Sequence, residues 1–135
     1  MKRIFALASM LVLLSGNSAL AEDLQPVGTG DDGLDYYLDL DTIQRPRPRA
    51  SFTLIADLDP PNRYGVTRYS IFEWVDCNTR QSLSRTKTTH YVQDNTASTN
   101  LLRKRKPYTS APDETVLDIE AGTVRAEAFR IACAR

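Results

Sequence analysis

The sequence predicts an α+β domain: an antiparallel β-sheet of about five to six strands, packed with a C-terminal helix and held by one disulfide. Three observations predict it. Apolar and polar residues alternate with a period of two in several runs between residues 34 and 92. The period changes to that of a helix after Gly122. Two cysteines, Cys77 and Cys133, follow a leader of the kind that directs export into an oxidising compartment.

The leader occupies residues 1–21. Lys2 and Arg3 form its basic start, residues 4–14 its apolar run, and Ala19, Leu20 and Ala21 its small-residue cleavage site. The apolar run is too short to span a bilayer, and nothing downstream approaches the ~20 apolar residues a spanning helix needs. Cleavage after Ala21 takes the 135 residues to 114; losing Lys2 and Arg3 takes the 17 basic residues to 15, against 17 acidic ones. This slightly acidic balance excludes a globally basic nucleic-acid binder. No cysteine stands near the cleavage site to be acylated, so no lipid anchor is expected. The product is expected in the periplasm, at the cell surface or outside the cell. There, a lone pair of thiols has one connectivity, Cys77 to Cys133, and no Cys-x-x-Cys spacing suggests a redox pair.

Residues 22–33 are rich in Gly and Asp and read as a flexible lead-in; the domain proper is expected over 34–135. Over 34–40, Tyr36, Leu38 and Leu40 share one face and Tyr37 and Asp39 the other, which predicts a half-buried strand. Arg45, Pro46, Arg47, Pro48 and Arg49 break it, because proline cannot donate to a ladder. A second strand is expected over 51–57, and Asp59, Pro60, Pro61, Asn62 and Gly65 make the next turn. The run 66–77 carries Tyr69, Ile71, Val75 and Cys77 on one face and Ser70, Phe72 and Trp74 on the other. Large apolar residues on both faces predict a central strand covered on both sides, with Glu73 near a rim. The Thr-rich run 82–92 is a further strand. Residues 93–112 lose the pattern and read as a long exposed connection. Val124, Ala128, Ile131 and Ala132 then form one helical face, with Thr123 as N-cap.

The chemistry-bearing residues are few. The single histidine, His90, lies in the Thr-rich strand with no second histidine or free thiol to join it, so no metal site, cofactor or catalytic residue is expected. No Gly-x-Ser-x-Gly elbow is present to activate a serine. Asp31, Asp32 and Gly33 lack the alternating carboxylates and distal Glu of a calcium loop and read as a turn. Gly28 and Gly30 lack the third glycine of a dinucleotide fingerprint.

The most unusual feature is the basic run Arg103, Lys104, Arg105 and Lys106, with Leu101, Leu102 and Tyr108 beside it. Adjacent cations repel and gain little from burial, so the run is expected in solvent. Arg45, Arg47 and Arg49 form a second positive segment; if both loops share an end of the sheet, seven cations converge. Such a surface grips a polyanion, with steep salt dependence; as bare solvated loops, the two segments would serve solubility alone.

Two stretches carry a family resemblance. Residues 36–45, Tyr-Tyr-Leu-Asp-Leu-Asp-Thr-Ile-Gln-Arg, resemble the tyrosine-rich opening strand and turn of surface-adhesin protein E and its relatives. Residues 68–77 resemble that family's strand into its first cysteine, and 123–133 its closing helix and second cysteine. The resemblance implies a small antiparallel sheet with one helix and one disulfide, in a class of Gram-negative envelope proteins. It implies binding of host matrix or serum proteins, such as vitronectin, laminin or plasminogen, and no enzymatic activity. The expected function is an exported binding domain with a protein or polyanionic glycan ligand, gripped by Arg103, Lys104, Arg105, Lys106 and Tyr108 with Arg45, Arg47 and Arg49. The alternative is a periplasmic accessory protein, an inhibitor or folding partner, acting on a bacterial envelope partner.

Overall fold

The computed structural model describes residues 22–92 and 105–134. It contains β1 (Leu24–Thr29), β2 (Asp35–Gln44), β3 (Arg49–Asp57), β4 (Val66–Asp76), β5 (Gln81–Tyr91), the short β6 (Tyr108–Thr109) and β7 (Leu117–Asp118), and one helix, α1 (Val124–Ala132). The strands form one antiparallel sheet in the order β1-β2-β3-β4-β5-β6, with β7 pairing further along β5. This is the expected architecture: five long neighbouring strands, each connected to the next in sequence, and a terminal helix on one face.

Register sets which side chains meet. Leu38 faces Leu54, Leu54 faces Ile71, and Ala50 faces Val75 across adjacent strands. These side chains join Tyr36, Phe52 and Ala56 in a core that Ala128, Phe129 and Ala132 of α1 cover. The helix lies over β1, β2 and β3. It begins where expected: the Thr123 hydroxyl accepts from the Ala126 amide at 3.1 Å, satisfying one of the orphan donors of the first turn. The disulfide ties Cys77, just after β4, to Cys133, the C-cap of α1.

Three local expectations are overturned. Leu24–Thr29, read as lead-in, is the edge strand β1. Its Gly and Pro look like loop signals, but an edge strand needs no amide on its outer side, and a register shift between Pro26 and Gly28 absorbs both while Val27 enters the core. Glu73 is not near a rim: it is 0% exposed, opposite Phe52 on the helix side of β4. Arg125 on α1 makes this tolerable, its Nε lying 2.9 Å from Oε1 and donating to Oε2 at 3.1 Å. Finally, among the described residues β4 is not covered on both sides. The single helix packs on one face, leaving Phe72 on the other 37% exposed, edge-on to the half-buried Trp74.

Beyond Lys106 the chain runs antiparallel along the edge of β5 through β6, an isolated bridge between Arg85 and Asp113, and β7. Arg85 anchors this strap. Its guanidinium donates to Ser82 Oγ at 2.7 Å and to Asp113 Oδ2 and the Thr115 carbonyl at 2.9 Å. The same contact holds the Asp113 carboxyl well below the usual carboxylate range. The strap occupies the ladder positions of β5 that would otherwise recruit another chain.

Candidate functional site

The described residues of the two basic segments lie at opposite ends of the sheet. The loop between β2 and β3 sits at the end that carries the disulfide, where the Cys77 amide donates to the Pro48 carbonyl at 2.9 Å. Arg45 Nε donates to the Ala132 carbonyl at 2.8 Å and Nη2 to that of Ile131 at 3.3 Å. Arg47 reaches the carbonyls of Cys133 at 3.2 Å and Ala134 at 2.8 Å. They cluster at the C-terminus of α1, where a helix leaves carbonyls short of intrahelical donors and the macrodipole also favours cations. The alternating arginines therefore act as an external cap for α1. Arg49 opens β3, opposite Asp76 in register. Replacing Arg45 and Arg47 together with serine is expected to lower stability by about 1–2 kcal/mol, measured by urea unfolding.

At the other end, Arg105 Nη1 donates to the Tyr64 carbonyl at 3.2 Å and its guanidinium lies 5.5 Å from the centre of the Tyr91 ring. The Val92 amide, paired to the Gly65 carbonyl at 2.8 Å, closes the same corner. Lys106 and Tyr108 are exposed, and Tyr108 is fixed by pairing with Thr89. Arg103 and Lys104 lie outside the described residues. The strand joining the two ends, β4, has 11 residues, a span of about 35 Å. Arg105 is thus a full strand length from the arginines of the β2–β3 loop, and the described cations do not converge.

The structure adds two residues to the Arg105 corner. Tyr64 is exposed, and the Arg63 guanidinium stacks 4.7 Å from its ring centre. Nothing local marks them in the sequence; they reach Arg105 through the β3–β4 turn, 41 positions away. Beside them a cleft of about 430 Å³ is lined by Asp57, Thr67, Arg68, His90, Tyr91 and Pro107. Within it, Arg68 is paired with Asp57 and Glu22, which raises its already high pKa, and His90 Nε2 lies 3.2 Å from the Ser70 hydroxyl. The resulting surface presents guanidinium and ammonium groups interleaved with tyrosine rings, an arrangement suited to holding an anionic, partly apolar ligand.

The other candidate motifs resolve structurally. Asp32 closes the β1–β2 turn: its Oδ1 accepts from the Leu34 amide at 3.1 Å, and its Oδ2 accepts from the Tyr36 hydroxyl at 2.7 Å. Burial, reinforced by that hydrogen bond, pushes the Tyr36 hydroxyl pKa well above its ordinary value. Gly33 takes the left-handed conformation the turn needs, with φ of 76°. Among the described residues, no group of three or more His, Cys, Asp or Glu side chains is placed to hold a metal ion, and no helix is long and apolar enough to cross a membrane.

The family model for Surface-adhesin protein E matches residues 24–134, from the start of β1 to just past α1. No curated protein and no solved structure matches the chain.

Proposed function

Because the chain belongs to the surface-adhesin protein E family, we propose that it is an exported, non-enzymatic binding domain whose ligand is a polyanionic glycan or an acidic patch of a host matrix or serum protein. The observation that carries this reading is the corner of the sheet where Arg105, Lys106 and Arg63 lie among Tyr64, Tyr91 and Tyr108. Strands β5 and β6 fix Tyr91 and Tyr108, so a ligand meets rings that lose little freedom on binding, while Arg103 and Lys104 lengthen the charged run in sequence. The arginines of the β2–β3 loop, taken up by the helix carbonyls, are left out of the ligand surface.

Heparin tests the reading. Changing Arg103, Lys104, Arg105 and Lys106 to serine is expected to weaken heparin binding by about tenfold or more in low salt and to flatten its salt dependence. The unfolding midpoint should stay close to that of the parent, since the described pair, Arg105 and Lys106, is exposed and outside the core. Binding and salt dependence identical to the parent would remove the basic run from the function.

A further inference from the structure

The helix side of the sheet is wider than its helix. A helix with side chains is ~10–12 Å across and strands lie ~4.8 Å apart, so one helix covers two or three of the five long strands. Past the first turn of α1 the sheet is left open, and a cleft of about 620 Å³ lies between that turn, the 117–120 segment and the strands.

Its floor is apolar and its rim is acidic. Leu54, Ile71 and Val124 form the floor; Asp31 and Asp32 enter from the β1–β2 turn, and Asp118 and Glu120 from the strap. Among the described residues, the one cation lining it is Arg125, and its guanidinium is already matched by the buried Glu73. The partners of the rim carboxylates are neutral: the Tyr36 hydroxyl on Asp32 at 2.7 Å and the Gln81 amide on Asp118 at 3.1 Å. Among the described residues, no ion pair offsets these four carboxylates. Leu117 at the mouth is 41% exposed and Val116 beside it is also exposed, so the approach to the cleft is apolar.

From this charge and shape we infer that the cleft is a docking site for a basic side chain, lysine or arginine, carried on an apolar-flanked segment of a partner protein. The aliphatic stem lies along Leu54, Ile71 and Val124 while the charged head stays at the rim, the way such side chains divide between apolar surface and water. The volume lies within the ~300–1,000 Å³ of clefts that hold ligands, so one extended side chain and its flanking residues can enter. An anionic ligand is disfavoured by the same four carboxylates. This site is distinct from the basic corner, opposite to it in charge, and stands or falls without it.

The test uses the oxidised protein and an N-acetylated, C-amidated peptide with one lysine between leucines, followed through backbone amide chemical shifts. The lysine peptide is expected to shift the amides of Ile71, Leu117 and Val124. Acetylating the lysine Nε, or changing the protein by Asp31→Asn and Glu120→Gln, should each weaken binding about tenfold. Raising salt from low to high should weaken the parent complex likewise. Equal binding of the acetylated peptide, unchanged affinity in the double variant, or shifts confined to residues outside the cleft would overturn the assignment.

Discussion

Reducing the bond between Cys77 and Cys133 is expected to lower the thermal unfolding midpoint by about 15 °C. The bridge joins positions 56 apart in sequence, and the chain-entropy model assigns a loop of that length about 4 kcal/mol. For a domain near this size, about 4 kcal/mol corresponds to about 15 °C in midpoint. The effect is large because of what the bridge attaches. One end follows the central strand β4 and the other caps α1, the only helix among the described residues. With the bond open, α1 retains its face of Ala128, Phe129 and Ala132 and its arginine cap, but only the backbone at its N-terminal end, through β7, still ties it covalently to the sheet. Calorimetry with and without reductant measures the shift, and a Cys77→Ala, Cys133→Ala variant should reproduce the reduced value. Hydrogen exchange should show the loss of protection concentrated in α1 before β3 and β4. An unchanged midpoint in both would mean that the sheet and helix hold each other without help.

The second large effect is asymmetric. Arg125→Met is expected to destabilise the domain by about 3 kcal/mol, because it strands a carboxylate with no exposed surface. Glu73→Leu should cost about 1 kcal/mol or less, since the Arg125 side chain it leaves behind is 34% exposed and can turn its head to water. Combining the two should bring stability back to within about 1 kcal/mol of the parent, because an apolar pair of similar volume replaces a desolvated ionic one. Urea unfolding of the three variants decides it. Equal costs for the two single changes would show that Glu73 does not depend on Arg125 for its charge.

That pair also marks the limit of what the sequence reveals. Strands were legible wherever period-two alternation dominated: the reading over 51–57 meets β3, and that over 66–77 meets β4 nearly end to end. The helix was legible from its period and from Thr123, although Phe129, which enters the core, falls outside the expected face. Glu73 broke the alternation of its strand and was therefore sent to a rim. Its partner lies 52 residues on, in another kind of element, and no local pattern links them. β1 was missed for the converse reason, because Gly and Pro mean a turn in most settings and an edge strand in this one.

The candidate site shows the same division. Arg105, Lys106 and Tyr108 stood out in sequence because consecutive cations are self-announcing. Arg63 and Tyr64, which complete their corner, did not. The two basic segments look alike as strings, yet one caps a helix, while the described residues of the other, Arg105 and Lys106, are exposed a full strand length away.

Local physics was enough to establish this protein's class: alternation determines strands, a 3.6-residue period determines a helix, and two cysteines leave a single pairing, the one found. What local physics could not decide was which charges are used and which are free. That depends on what folding brings within about 3 Å of each one, here the carbonyls of α1 for Arg45 and Arg47 and the guanidinium of Arg125 for Glu73. Ionic and hydrogen-bonding strength falls steeply with distance and solvent access, so the role of a charged residue is a property of its neighbours in space.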